Sequence, residues 1–323
     1  MAYLIGTDEA GYGPNLGPLV ISASVWDLPE GTHVQDLYGL LEHVIAAKSN
    51  QASGDGRGRV WMADSKLLYR SGKGLKQLEH GLLAALAILG RQPTNWHELW
   101  QSLAPDAMTA RDAIPWYRGY DTAIPRQADP AEIRQAAATL RSGLAHAGVR
   151  LVDLRCRVIF EGEFNRLVAA YGNKAEALSR ASLCLAADLC RLLPSGPVLI
   201  VCDKHGGRDH YAHLLLEHFA GSLVEVCGET RRWSAYRLGQ PKRRIEVCFQ
   251  AKAESYLPAA LASMAAKYLR ELAMEALNAF WGQHVPGLRR TAGYPQDARR
   301  FKAEIASAQA ALGLEDEIVW RSR

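Results

Sequence analysis

No two cysteines in this chain are spaced as CxxC, and Cys156, Cys184, Cys190, Cys202, Cys227 and Cys248 are scattered through apolar segments. That speaks against a zinc site or a disulfide frame and leaves reduced core thiols as the reading. No apolar run approaches the roughly 18 residues of a membrane span, and no basic segment followed by an apolar stretch opens the chain as a secretory leader would. A cytoplasmic monomer with no membrane partner is therefore expected. A GxGxxG turn and a P-loop are both missing, so nothing points to a nucleotide cofactor. Internal repeats are absent as well. Neither sign of charge dominates: 38 basic against 34 acidic residues leave a net charge of +4, which permits nucleic-acid binding without demanding it.

What the chain has is length and one unusual opening. Its 323 residues, 48% hydrophobic, can bury one large core or two modest ones. We expect one elaborated α/β domain over residues 1–323. Near its start, Tyr3 to Val20 reads YLIGTDEAGYGPNLGPLV. Tyr3, Leu4 and Ile5 suggest a short buried strand, and Gly6 to Gly17 is too rich in Gly and Pro to continue it or to form a helix. Asp8 and Glu9 are thereby delivered into a glycine-rich turn. Adjacent carboxylates in an apolar setting repel each other and lose solvation, so they need a cation or a proton. A divalent metal satisfies both, and Gly11 and Gly13 let backbone N–H groups approach a phosphate. The plain alternative is a solvent-facing turn whose acids do nothing.

The GTDEAGYGPNLGPLV segment resembles the opening motif of the type 2 ribonucleases H, the ribonuclease HII and HIII family. Three further segments resemble that family in order. They are MADSKLL, holding Ser65 and Lys66; Val198 to Asp203, VLIVCD; and Ala251 to Arg270, AKAESYLPAALASMAAKYLR. The matches run from about Tyr3 to about Lys302. The resemblance implies a ribonuclease H-like mixed sheet flanked by helices, in which the first strand, a later parallel strand and the start of the following helix are neighbours. Asp8, Glu9, Asp203 and Glu254 would then share one acidic centre. Four such charges need counterions, and the family implies two Mg²⁺ or Mn²⁺ ions, with Asp8 bridging both, Asp203 and Glu254 flanking, and Glu9 serving one ion and the water. The implied activity is hydrolysis of the RNA strand of RNA/DNA hybrids, or cutting at ribonucleotides embedded in duplex DNA, leaving 5′-phosphate and 3′-hydroxyl ends. A structure-specific DNA nuclease of the same superfamily and a non-catalytic nucleic-acid-binding module are the alternatives.

Two departures from the family pattern are visible. Glu254 stands where the family usually places Asp, and Asp209 in GGRDHY is a spare acid in a loop. Tyr12 lies between Gly11 and Gly13, where the HII branch commonly carries a cation. The family's glycine turn reads the 2′-hydroxyl with its backbone, and its later Gly-Tyr segment, here Gly293 and Tyr294, stacks on a sugar. By the same resemblance Ser65 and Lys66 contact backbone phosphate. On their own residues, Asp203 is equally a turn cap, Glu254 a first-turn acid, Ser65 a helix cap and Tyr12 and Tyr294 rim or core residues.

The remaining chain reads as alternating elements. Leu19 to Trp26 is the second strand of a hairpin, His33 to Ala47 is helical, Ser49 to Gly58 is a loop, Val60 and Trp61 are a strand, and Gly74 to Gly90 is a helix. Residues 91–133, with Trp96, Trp100, Trp116, Tyr117 and Tyr120, read as an inserted, partly helical segment packing on the core or, less simply, as an aromatic platform. Ala131 to Gly148 and Lys174 to Leu193 are helices, Leu151 to Phe160 is a strand, and Val198 to Cys202 is a buried parallel strand. After a helix over Tyr211 to Phe219, a meander of Leu223 to Cys227, Trp233 to Leu238 and Ile245 to Phe249 precedes a helical C-terminal region over about 255–323. Two basic clusters stand out: Arg231, Arg232, Arg237, Lys242, Arg243 and Arg244 with Trp233 and Tyr236, and Arg289, Arg290, Arg299, Arg300 and Lys302. Each suits phosphate contacts or is simply a solvated face.

Overall fold

The computed structural model describes residues 2–47, 58–69, 74–239 and 243–322. The expected loop from Ser49 to Gly58 and the basic residue Lys242 lie largely or wholly outside them. Nine strands are formed among the described residues: β1 (Ala2–Ala10), β2 (Leu19–Leu28), β3 (Ile45–Ala46), β4 (Val60–Trp61), β5 (Arg150–Ile159), β6 (Val198–Cys202), β7 (Val224–Glu229), β8 (Trp233–Leu238) and β9 (Ile245–Gln250). Seven of them build one mixed sheet in the order β5-β2-β1-β6-β9-β8-β7, and β3 and β4 make a small parallel pair. Helices flank the sheet, which is the α/β architecture the sequence implies.

The centre of the sheet explains where acids can sit. β1 pairs antiparallel with β2 over its whole length, from Ala2 with Leu28 to Ala10 with Val20. With β6 it pairs in parallel only from Tyr3 with Val198 to Gly6 with Val201. β1 therefore outruns β6, and Asp8 and Glu9 lie on the overhang. This corrects the expectation of a turn from Gly6 onward, because β2 supplies hydrogen-bond partners to the end of β1. The chain leaves the strand at Gly11, whose φ of +93° lies in the left-handed region that glycine tolerates.

Gly6 stays in the strand for a different reason. The helix Leu257–His284 begins directly on top of it, and a Cβ at Gly6 would stand 2.3 Å from the Ala259 nitrogen and 2.4 Å from the Pro258 carbonyl carbon. That helix is 28 residues long, with Pro258 in its first turn and buried residues on nearly every side. Such a helix belongs at the centre of a core, not at its rim. It crosses β1 and β2 and organises one face of the sheet with Leu4, Val20, Trp26 and Leu82. The opposite face is closed by the helix Lys174–Leu192 over Tyr3, Ile5, Ile21 and Val25.

Three further expectations need correction. His33 to Ala47 is not one helix: it holds a 3₁₀ turn (Val34–Asp36), a single α-turn (Leu37–Leu40) and β3, whose β-branched Ile45 pairs with Val60. Between the strand expected to end at Phe160 and the helix expected from Lys174 there is a further helix, Glu161–Tyr171. Cys227 is exposed on edge strand β7, while Cys156, Cys190 and Cys202 are buried; all six cysteines are free thiols. In the 91–133 segment Trp96, Trp100, Trp116 and Tyr117 are all buried, and the Trp100 and Phe160 rings stack with centroids 6.0 Å apart. Packing, not a platform, is their use.

Candidate active site

Strand register brings the first acids together. Gly6 pairs with Val201 at the last rung of the parallel β1–β6 ladder, and Asp203 follows β6 at the end of the sheet where β1 carries Asp8 and Glu9, near enough for its charge to act on Glu9. Alternation sends Asp8 toward the face of the long helix and Glu9 toward the other face. On its side Asp8 is hydrogen-bonded to the Ser263 hydroxyl. The Ser65 and Ser263 hydroxyls are hydrogen-bonded to each other at 2.9 Å, and with Ser65 as the donor the Ser263 proton is left for Asp8. Ser65 is buried at the start of the short helix Ser65–Leu68, which Asp64 caps by accepting the Lys66 N–H at 3.0 Å. Ser65 thus braces Asp8 through Ser263, while its neighbour Lys66 reaches into solvent.

Asp203 is fixed from two sides. One of its oxygens accepts the backbone N–H of Lys204 at 2.9 Å and that of Lys252 at 3.0 Å. Lys252 has φ +65°, the only non-glycine residue among the described residues held in the left-handed region. A strained backbone of this kind persists where its surroundings demand it, and here it aims an N–H at a carboxylate. The same bend opens the 3₁₀ turn Ala253–Ser255 that carries Glu254. Lys66 Nζ stands 3.8 Å from Glu254 Oε1, and Glu254 Oε2 is buried without a hydrogen-bond partner.

The charges feel one another. Burial first, then Glu9 and Glu254, push the Asp8 carboxyl well above the usual carboxylate range. Burial, then the Asp203 charge, raises Glu9 to about 7, with Lys66 pulling the other way and Glu254 adding to the rise. Glu254 is raised by burial, then by Asp203 and Asp64. Desolvation works against the Lys66 ammonium, but Asp64, Glu254, Asp8 and Asp203 outweigh it and hold its pKa above the usual lysine range. Asp209, the spare acid, is committed to the Lys204 ammonium. Its loop is pinned too: the buried His205 donates its N–H to the Tyr211 hydroxyl at 3.0 Å, and the Ser234 hydroxyl donates to the Asp209 carbonyl at 2.6 Å.

The donor set is all carboxylate oxygen, which suits a hard divalent cation, and the orphaned Glu254 oxygen is a vacant acceptor. Among the described residues no three His, Cys, Asp or Glu side chains are spaced to hold a single ion as they stand. Closing them around one requires side-chain rotation, most simply of the glutamates, whose extra methylene gives them reach.

The glycine-rich loop forms the wall beside these acids. Gly17 N–H donates to Glu161 Oε1 at 2.9 Å, Arg270 Nη2 donates to the Leu16 carbonyl at 3.3 Å, and Arg321 Nη2 donates to the Pro14 carbonyl. Asn15 N–H donates to the Gly293 carbonyl at 2.8 Å, tying the loop to the segment before Tyr294. A Cβ on Gly11 would stand 2.5 Å from Arg270 Nε. Glu161 is buried, and desolvation, partly offset by Arg321, the Gly17 N–H and Arg270, raises it to about 7. Tyr294 is 55% exposed, and its ring lies 4.0 Å from where a Cβ on Gly13 would be. The Tyr12 hydroxyl lies beside Gly206, and Lys174 Nζ sits over the Tyr12 ring at 4.6 Å. Burial, then the charge of Glu9, raises the Tyr12 phenol.

Sequence reasoning missed Ser263, Arg270, Arg321 and Glu161. Ser263 carried a faint signal as a polar residue in an otherwise apolar helix face; the two arginines and Glu161 are distant in sequence from the loop they hold. Of the basic clusters, Arg237 and Arg244 are neutralised by Glu225 and Glu246, and Tyr236 is buried. In the second, Arg300 pairs with Asp297 and Glu304 and Lys302 with Asp316.

No protein-family model and no curated protein matches the chain. Among solved structures it is similar to ribonuclease HII in the PCNA:RNase HII complex from Archaeoglobus fulgidus, at 18% identity and a TM-score of 0.46 over 99% of this chain and 94% of that one. It is also similar to ribonuclease H2 from Pyrococcus horikoshii OT3, at 16% identity and a TM-score of 0.43 over 98% and 92%. A Bst-RNase HIII complex with Mn²⁺ aligns at 16% identity and a TM-score of 0.42 over 99% of this chain and 66% of that one. No helix among the described residues is long and apolar enough to cross a membrane.

Proposed function

We propose that this protein is a divalent-metal-dependent endonuclease of the ribonuclease H type 2 kind. It would cut the RNA strand of RNA/DNA hybrids, or duplex DNA at embedded ribonucleotides, to give 5′-phosphate and 3′-hydroxyl ends. The observation that carries the reading is that Asp8, Glu9, Asp203 and Glu254, from distant segments, lie close enough to act on one another, each of Asp8, Glu9 and Glu254 being raised by burial and by its acidic neighbours. Such a group is compressed charge in want of a cation.

These four residues would hold Mg²⁺ or Mn²⁺. When bound, divalent cations supply Lewis-acid stabilisation of charge on the phosphoryl oxygens and make water a better nucleophile at neutral pH. Ser263 holds the Asp8 carboxyl in place, and the N–H groups of Lys204 and Lys252 hold Asp203, so neither must be ordered when substrate arrives. Glu9, beside Asp8 on the β1 overhang, would share in holding the cation and in placing the attacking water. Lys66 offers its exposed ammonium to a backbone phosphate. The Gly11–Gly13 backbone and the exposed Tyr294 ring form the wall against which the sugar at a ribonucleotide would rest.

The test is incubation with Mg²⁺ or Mn²⁺ and duplexes holding one ribonucleotide, a run of ribonucleotides, or DNA alone. Cutting that depends on the ribonucleotide and is lost in Asp8→Asn supports the proposal; folded protein that leaves all three intact removes it. A non-catalytic binding module is the second reading, favoured by Lys66 seated at the acids as a built-in counter-charge. Under that reading Mn²⁺ would bind at the acids in neither wild type nor Asp8→Asn, and nucleic-acid affinity would be the measurable property.

A further inference from the structure

The β7–β8 hairpin extends the sheet beyond β9, and its turn lies at the same end of the sheet as the carboxylates. Trp233 at the start of β8 pairs with Gln250 at the end of β9, and β9 runs parallel to β6. Two links fasten this turn to Asp203. The Lys204 ammonium donates to the Thr230 carbonyl, while the Lys204 N–H holds Asp203. The Ala251 N–H donates to the Arg232 carbonyl at 3.0 Å, one residue before Lys252, whose N–H also holds Asp203. The turn is stiff in itself: the Thr230 hydroxyl accepts from the N–H groups of Arg232 at 3.3 Å and Trp233 at 3.0 Å.

Its side chains are unspent. Further along the same basic stretch Arg237 and Arg244 are paired with glutamates. Arg231 and Arg232 are exposed, and among the described residues neither guanidinium has a hydrogen bond or an ion pair. The acid whose field Arg231 touches, Asp209, is already bonded to Lys204. Beside them Trp233 is 41% exposed. The benzo end of its indole lies over Gly228, at an irregularity of β7, where a Cβ would stand 2.3 Å from the ring. The missing side chain is a seat that holds the ring against the strand.

We infer that this turn is a second contact for the nucleic-acid strand, with Arg231 and Arg232 taking backbone phosphates outside the scissile step and the Trp233 indole stacking on an unpaired base. The inference rests on the nuclease reading of the carboxylate cluster and extends the substrate's footprint past it. Two mobile cations on a rigid turn bind phosphates by releasing counterions, and an exposed indole offers a face to any base. The fixed spacing to Asp203 makes the turn part of the same track, not an independent patch.

The test is fluorescence anisotropy in EDTA with a labelled duplex carrying one ribonucleotide, blunt or with a single-stranded overhang. Arg231→Ala/Arg232→Ala should weaken binding about tenfold near 0.1 M salt and lower the slope of log K against log salt by about 2, at about 0.9 per phosphate. Arg231→Lys/Arg232→Lys should restore both. Trp233→Ala should weaken the overhang duplex at least about threefold more than the blunt one. Unchanged affinity and slope in the double alanine variant, with an unaltered thermal midpoint, overturns the inference, as does lost affinity with an unchanged slope, which would mark a protein-facing surface or an indirect effect. Wild type that binds but never cuts removes the nuclease reading and leaves this surface standing. Wild type that cuts, with the double variant binding and cutting equally well, removes this surface alone.

Discussion

Glu9→Gln should make the metal-free protein more stable and, on the proposed nuclease function, slow its cleavage. Burial and the Asp203 charge move the Glu9 carboxyl from 4.5 to about 7. At about 1.4 kcal/mol per tenfold, that puts a penalty on the charged form of about 3 kcal/mol. Solvent at the open strand end and salt reduce it to about 1–3 kcal/mol. The sign follows from proton counting. Below pH 4.5 both folded and unfolded chains keep this proton. Between 4.5 and 7 the unfolded chain ionises first, so native stability falls as pH rises, and above about 7 the loss is complete. Glutamine carries no charge, so the gain of the variant should be absent near pH 4, grow through this window and level off by pH 8. Urea unfolding in EDTA at several pH values reads it as a shift of midpoint at constant m. Added Mn²⁺ should stabilise wild type more than the variant, by about 2.7 kcal/mol at a hundredfold excess over Kd. Cleavage by the variant should fall by about a hundredfold, because a neutral amide holds a divalent cation poorly. Equal stability at pH 8, or a gain that does not vary with pH, would refute the claim that Glu9 is held as a compressed charge.

Gly6→Ala should destabilise the fold by about 3 kcal/mol or more, since its Cβ would stand 2.3 Å from a backbone nitrogen of the long helix and cannot be relieved by a side chain turning aside; a urea midpoint equal to wild type would contradict the packing of helix on β1. Ser263→Ala should lower kcat much more than it raises KM, and stability by only about 1 kcal/mol, because its hydroxyl orders Asp8 and Ser65 without touching substrate. An unchanged kcat would show that Asp8 needs no such support.

Most of the sheet was readable because its strands obey local rules: Leu19 to Trp26 is apolar enough to be covered on both faces, and Val198 to Cys202 is an unbroken apolar run followed at once by an acid, Asp203. The segment Gly6 to Ala10 was misread because glycine count argued for a turn, whereas strand pairing with β2 and the close approach of Pro258 keep it extended. His33 to Ala47 has helical spacing, yet Val44 and Ile45 are drawn to the core and to β4, a tertiary preference that periodicity does not encode. At the site, Asp8, Glu9, Asp203 and Glu254 were nameable from their motifs. What the sequence hid was their support. Ser263 acts through a hydrogen bond across the sheet–helix interface. Arg270, Arg321 and Glu161 fasten the glycine loop from positions far away in the chain. Basic residues were equally ambiguous in sequence, and only their partners separate the neutralised Arg237 and Arg244 from Arg231 and Arg232.

The central claim is that four side chains from three separated segments jointly hold divalent cations. Anomalous diffraction from a crystal soaked in Mn²⁺ tests it most directly. The account expects density between Asp8, Glu9, Asp203 and Glu254, with Lys66 displaced from Glu254 and the signal gone in Asp8→Asn. Mn²⁺ bound elsewhere, or a soaked crystal in which the carboxylates keep their spacing and Lys66 its contact, would contradict it.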